Sequence, residues 1–282
     1  MLKQRVITAI VLLAILLPAL FYPSPVPFCA VALVMIAAAG WEWGRLNGLQ
    51  NTGSVLLAGV CVALCGAAWQ AGWLVQPLPM LWLVTAAAWV LGGAFLLRAG
   101  VAGWPKIPRA VRLVGGVLGL SLAWLAMAQA RVVGINFLLS VLLLVWVADI
   151  FAYFAGRTFG LKFTKSKLAP AISPGKSWEG VWGGMAGVVV LALVWVWADK
   201  TFAPDVPSFY SQLASRHMLL LLVSVVFMGG MSVVGDLVES LIKRSAGAKD
   251  SSRLLPGHGG VLDRIDALLP TLPLAMMLVS FT

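Results

Sequence analysis

Ten of the chain's charged residues stand between Gly235 and Asp266, in the run GDLVESLIKRSAGAKDSSRLLPGHGGVLDRID. Only 11% of the chain is charged and 61% is hydrophobic, so chemistry has its material here. Asp236, Ser240 and Lys243 fall at i, i+4 and i+7, which places them on one helical face with Glu239 beside them. Asp263 and Asp266 fall at i and i+3, with Arg264 between them. A carboxylate beside a membrane is costly unless something positive meets it. For Asp236 two partners are open: an internal salt bridge to Lys243 or Arg244, or a divalent cation. Two acidic faces joined by one loop can converge on an ion, and oxygen ligands without cysteine favour magnesium over zinc. Between the two faces, Pro256-Gly257-His258-Gly259-Gly260 offers bare backbone N–H groups that suit phosphate. His258 is a candidate for phosphate contact, loop ordering or proton transfer. The residue types together read as metal-assisted phosphate chemistry at a membrane surface.

A second candidate region runs from Asp149 through Arg157 and on to Ser173-Pro-Gly-Lys176-Ser177-Trp-Glu-Gly180. Asp149 lies near the end of an apolar run, where an unpaired acid costs about 2.5–3.5 kcal/mol at mid-bilayer and less toward the interface. A helix starting near Ser177 turns its positive end toward Ser173 and Lys176, which makes an anion site. The GxxxxGK[ST] spacing of a nucleotide-binding P-loop is absent, since Pro170 stands five residues before Gly175. Lys176 is the candidate phosphate contact, whereas Lys162 and Lys165 read as ordinary loop charge.

The elements that must position these residues are membrane spans. A mean hydropathy of +0.98 excludes a soluble core of this size. Apolar runs at about 6–22, 27–44, 54–74, 79–98, 111–129, 134–156, 178–198, 218–243 and 264–281 predict an all-α polytopic membrane protein of about nine helices. With the N-terminus inside, the inner regions hold Lys3, Arg5, Arg45, Arg98, Lys106, Arg109, Arg112, five basic residues from Arg157 to Lys176 and five from Lys243 to Arg264. That is 17 of the 20 Lys and Arg, so the N-terminus is expected in the cytoplasm and the C-terminus outside. Residues 1–130 then form about five N-terminal spans. Residues 131–282 form the catalytic part, with inner loops at 157–177 and 245–263. The first apolar run lacks a small-x-small cleavage site and reads as a retained helix. The segment 199–217 reads as a plain outer connector, and Cys29, Cys61 and Cys65 as packing residues. Trp41, Trp43, Trp104, Trp178 and Trp197 lie at span ends, as interfacial anchors should. The net charge of +10 follows from the inner-loop bias and adds attraction to anionic headgroups. Basic residues confined to a membrane face exclude nucleic acid as a partner.

One spacing recurs: Asp149, Arg157, Gly160 and Lys162 repeat as Asp236, Arg244, Gly247 and Lys249. A helix-pair duplication would explain it and predicts that spans six and seven superpose on spans eight and nine.

With these residues assembled, the chain resembles the CDP-diacylglycerol synthases, or phosphatidate cytidylyltransferases. The resemblance rests on Ser240, Lys243, Arg244, Lys249, Asp250, Pro256, His258, Gly259, Gly260, Asp263, Arg264 and Asp266, a continuous match over 27 residues. The Asp149–Gly160 stretch and SPGKSWEG are also similar to family segments, with Ser177 where threonine is common. The resemblance implies an integral membrane enzyme that joins CTP to phosphatidate, releasing pyrophosphate. It implies Mg2+ with a second cation and a homodimer. The basic inner loops put the site on the cytoplasmic side, and a bacterial inner membrane suits the compact chain. By position, Asp236 and Asp263 would be metal carboxylates, with Ser240, Lys243, His258 and Asp266 completing the pocket. Asp149 and Asp266 join the candidate metal ligands; Lys243 and His258 join Asp236 and Asp263 as catalytic candidates. Lys176, Ser173, Ser240, Arg244, Lys249, Gly259, Gly260 and Arg264 are the candidate substrate contacts.

Two rivals fit parts of the pattern. Intramembrane acids suit a cation- or proton-coupled transporter. A polyprenol- or phytol-type lipid kinase would also use metal and nucleotide, without reason to carry the whole signature.

Overall fold

Long apolar runs bounded by proline and glycine leave the backbone one way to satisfy its hydrogen bonds in lipid, which is the helix. The structure, a computed structural model, describes residues 2–281, with side chains from Gln4 onward. The side chain of Lys3, counted above among the inner charges, lies outside the described residues. Among the described residues, eight helices are long and apolar enough to cross a membrane. They are α1 (Leu2–Phe21), α2 (Val26–Leu46), α3 (Asn51–Gln70), α4 (Pro79–Ala99), α5 (Arg109–Val133), α6 (Ile135–Phe159), α7 (Trp178–Phe202) and α9 (Met218–Ser245). Their outward faces carry exposed apolar side chains such as Val34, Leu91, Phe95 and Trp197, as a lipid-facing surface requires. The chain is an all-α polytopic membrane protein.

The expected ninth span is different. Its residues form a single turn, α10 (Leu262–Ile265), and a 13-residue helix, α11 (Leu268–Ser280). At 1.5 Å per residue α11 reaches about 20 Å, short of the roughly 30 Å hydrocarbon core. It is buried along most of its length and packs on α4, α5 and α9 inside the bundle. Among the described residues it is therefore not one of the eight long apolar helices, and its sides are covered by the bundle instead of facing lipid. The duplication idea fails with it. α7 has 25 residues against 13 in α11, and Gly160 ends its helix at φ −53° where Gly247 is at +69°.

The connector 199–217 is also more than a connector. It holds α8 (Phe209–Arg216), whose Phe209, Tyr210 and Leu213 are fully buried. The Tyr210 hydroxyl donates to Ser140 O at 2.7 Å, and Asp199 accepts from the Ser208 N–H and the Ser211 hydroxyl. Trp43 and Trp104 are turned inward and meet edge to face at 5.8 Å, so they are core residues rather than interfacial ones. Trp178 and Trp197 are exposed as expected. All three cysteines are free and buried.

Between α6 and α7 stands a small antiparallel hairpin, β1 (Lys167–Ala169) and β2 (Ser173–Ser177). Ser177 caps α7 by accepting the Gly180 N–H at 3.2 Å, which sets the start of that helix where its sequence placed it. α6 and α7 pack closely because a Cβ at Gly184 would meet Ala148 O on α6. The two long loops and the start of α1 share one end of the bundle. Arg5 Nε donates to Gly257 O at 2.9 Å and Thr8 Oγ1 to Pro256 O at 2.9 Å.

Candidate active site

α6, α7, α9 and the hairpin enclose a cleft of about 410 Å³ at that end of the bundle. Asp149 from α6, Lys176 from β2 and Asp236 from α9 line it, and Tyr153 and Arg157 stand at its exposed rim. Lys176 Nζ lies 2.5 Å from Asp236 Oδ2, and Ser240 Oγ donates to Asp236 Oδ1 at 3.2 Å. The partner of Asp236 is therefore Lys176, not Lys243 or Arg244. At the rim Arg157 Nη1 donates to the Tyr153 hydroxyl at 3.1 Å.

Lys243 has other partners. Its ammonium sits 2.5 Å from Glu239 Oε2 and 2.6 Å from Asp263 Oδ1, in a nearly buried triad. Asp263 also accepts the N–H and hydroxyl of Ser251 and the Gly260 N–H at 2.7 Å. Both its oxygens are engaged. Burial alone would raise its pKa, but the donors, Lys243 and the Gly260 N–H foremost, outweigh that and hold the carboxyl below its usual range. Asp266 is the opposite case. Burial and the neighbouring Asp236 charge push its carboxyl up to about 7.

The remaining candidates are spread around this centre. Gly257 and Gly259 adopt positive φ in a tight turn closed by a Leu255–Gly259 bridge. His258 faces inward with Nδ1 unpartnered among the described residues, and its carbonyl accepts Arg264 Nε at 3.0 Å. The Gly260 N–H serves Asp263, so the glycine run spends one of its donors on the protein itself. Arg244 reaches the Ile172 and Ala248 carbonyls, both at 3.4 Å, and ties α9 to the hairpin. Ser173 begins β2, and Lys249 is an exposed loop residue.

Among the described residues, no three His, Cys, Asp or Glu side chains converge tightly enough to hold a metal ion by themselves. The donor set nevertheless suits a hard cation. Asp149 and Asp236 line one cleft, and Asp266 senses the charge of both. Mg2+ commonly binds through one or two carboxylates and completes its shell with water and substrate phosphates. Asp236 already draws a positive charge, that of Lys176.

Two carboxylates that spacing arguments passed over organise the loops. Glu179 accepts the N–H groups of Phe163 and Thr164 and the Thr164 hydroxyl, holding the 157–177 loop on α7. Glu42, on α2, does the same for the 251–262 stretch from more than 200 residues away. Its only signal in the sequence is that it is an acid inside an apolar run.

The chain matches the cytidylyltransferase family over residues 3–282. It is 39% identical to a phosphatidate cytidylyltransferase of Pseudomonas aeruginosa over 278 residues, covering 97% of this chain and 95% of that protein. A phosphatidate cytidylyltransferase of Haemophilus influenzae is 39% identical over 296 residues, covering 97% and 96%. One from Brucella abortus is 37% identical over 280 residues, covering 95% and 89%. A match along the whole chain, with the signature residues gathered at one end of a helical membrane bundle, shows that this chain belongs to the cytidylyltransferase family.

Proposed function

We propose that this protein is a phosphatidate cytidylyltransferase, making CDP-diacylglycerol and pyrophosphate from CTP and phosphatidate. The observation that carries the reading is the cleft, where Lys176 stands with Asp149 and Asp236 at the loop end of the bundle and Asp266 lies close enough to feel both charges. A transporter or a lipid kinase gains no support from relatives that share nearly the whole chain. The site faces the cytoplasm of a bacterial inner membrane in this reading, since the basic loops gather at that end. The working protein is taken as a homodimer, as the family resemblance implies.

A phosphate oxygen of phosphatidate attacks the α-phosphorus of CTP. The new P–O–P bond forms as the bond to the β-phosphate oxygen breaks, and pyrophosphate leaves. No side chain need form a covalent link, because the lipid brings its own nucleophile. The barrier is the approach of two anions and the charge on the leaving group. Lys176, drawn from Asp236, meets the nucleotide phosphates, with Arg264 and the 257–260 turn closing over them. Arg157 at the rim meets the lipid phosphate as it arrives sideways between helices. Asp149, Asp236 and Asp266 would hold Mg2+, with Asp263 released to it only if Lys243 or Ser251 lets go. Bound Mg2+ would offset phosphate charge and stabilise departing pyrophosphate.

The test is turnover of labelled CTP by purified protein in mixed micelles with phosphatidate and Mg2+. Labelled CDP-diacylglycerol that disappears on chelation supports the reading. Transfer of γ-phosphate to a lipid alcohol would move the protein to the kinases, and no chemistry at all would favour transport.

A further inference from the structure

Glu42 is completely buried near the end of α2 and has no Lys or Arg ion pair among the described residues. Such a charge is tolerated only when hydrogen bonds replace its lost water. Four donors do so. The Val261 N–H reaches Oε1 at 2.9 Å and the Leu262 N–H reaches Oε2 at 2.7 Å. The Ser252 hydroxyl donates to Oε1 at 2.5 Å and the Ser251 hydroxyl to Oε2 at 3.1 Å. Every donor belongs to the stretch that carries the Pro-Gly-His-Gly-Gly turn and leads into Asp263 and Asp266.

The link to Asp263 is one hydroxyl wide. Ser251 Oγ lies 3.1 Å from Glu42 Oε2 and 3.0 Å from Asp263 Oδ2, and it has a single proton to give. The two carboxylates therefore share it, and the charge on Glu42 bears on how firmly Asp263 is held. Gly260 fits the same point. A Cβ there would overlap both Glu42 and Ser251, so the turn is pressed onto the carboxylate.

We infer that Glu42 is a positioning residue for the reaction: it anchors residues 251–262 to the N-terminal half of the bundle and so sets Asp263 and Asp266 against the cleft. What the loop serves rests on the phosphatidate cytidylyltransferase reading; the anchoring does not. Glu42→Gln is the test, because an amide of the same shape keeps one acceptor and turns donor hydrogens toward donors.

Two readouts are taken on the purified full chain in detergent, hydrogen exchange of the backbone amides and turnover of CTP with phosphatidate and Mg2+. Exchange at Gly260, Val261 and Leu262 should rise about tenfold or more, as expected when charged hydrogen bonds are lost and local opening grows. Exchange in α3 and α4 should stay as in the wild type. Turnover should fall about tenfold or more in kcat, with the KM for CTP within about threefold. Faster exchange throughout the bundle, or unchanged exchange at 260–262, would overturn the anchoring. Fast loop exchange with full turnover would overturn its role in the reaction. A wild type without turnover whose loop exchange still responds to Glu42→Gln would sink the functional reading and leave the anchor standing. Should Glu42→Gln not fold, Ser252→Ala removes one donor and should raise loop exchange and lower kcat by about two- to fivefold. No change in either would reject the proposal.

Discussion

Lys176 Nζ lies 2.5 Å from Asp236 Oδ2 across the cleft, joining the hairpin before α7 to the eighth long helix. Each side chain is about a quarter to a third exposed, 26% and 30%, so the pair is solvent-screened and contributes little to stability. Its meaning is electrostatic. The cleft holds a cation against an acid, and in the proposed reaction each gains a further partner, a substrate phosphate for Lys176 and Mg2+ for Asp236.

Lys176→Met should therefore leave the protein folded and weaken nucleotide binding. The KM for CTP is expected to rise roughly 10- to 100-fold, the worth of a charge-assisted phosphate contact. The melting temperature in detergent should move by no more than a few degrees. A variant with normal KM would remove Lys176 from the phosphate site.

Asp236 and Asp263 should separate in a stability measurement. Asp263 holds together Lys243, Ser251 and Gly260, so Asp263→Asn strips charge from a buried network and should cost about 2 kcal/mol. As a metal carboxylate only, the role the family resemblance implies, Asp263 could be replaced by Asn with loss of turnover and no harm to the fold; the buried triad adds the stability cost. Asp236→Asn should abolish turnover with little change in melting temperature. Equal thermal shifts in the two variants would refute this division of labour.

Much of this is legible in the sequence. Eight apolar runs became eight long helices, because hydropathy over about 20 residues reports the demand that lipid makes on a backbone. The Ser240–Asp266 signature landed at one end of the bundle beside Asp149 and Lys176. Three things were not legible. Residues 264–281 have the hydropathy of a lipid-facing span, and only tertiary contact shows them covered by α4, α5 and α9. α8 looked like a connector because its apolar face is only three buried residues wide. Glu42 gave no periodic signal, since its partners are fixed by tertiary contact and not by spacing.

The Asp266 carboxyl makes a pH dependence measurable. Its pKa is pushed up to about 7 by burial and the Asp236 charge, so below that pH it carries a proton that a bound cation must displace. The Mg2+ concentration for half-maximal activity should fall about tenfold per pH unit on approaching pH 7 and level off above it. Asp266→Asn should flatten that slope. A wild-type half-activating concentration that is constant from about pH 6 to about pH 8, roughly one unit either side of the shifted value, would take Asp266 out of the cation site.

The spacing of Asp236 from Asp266 depends on how closely α9 meets the α10–α11 junction, and Gly235 sets that approach. A Cβ at Gly235 would press on the Asp266 carbonyl and the Pro270 ring, neither of which can swing aside. Gly235→Ala must therefore push the two elements apart, at about 1–3 kcal/mol for overpacking. The displacement falls between two carboxylates of the same site, where even about 1 Å of misplacement can cost roughly 100-fold in rate. Gly230→Ala is the control on the same helix, since its Cβ would touch only the end of Met185 at an ordinary 3.5 Å. Gly235→Ala should lose most of its turnover and a few degrees of melting temperature while Gly230→Ala keeps both. If the two variants behave alike in a micelle assay, close packing at Gly235 is not what holds Asp236 against Asp266.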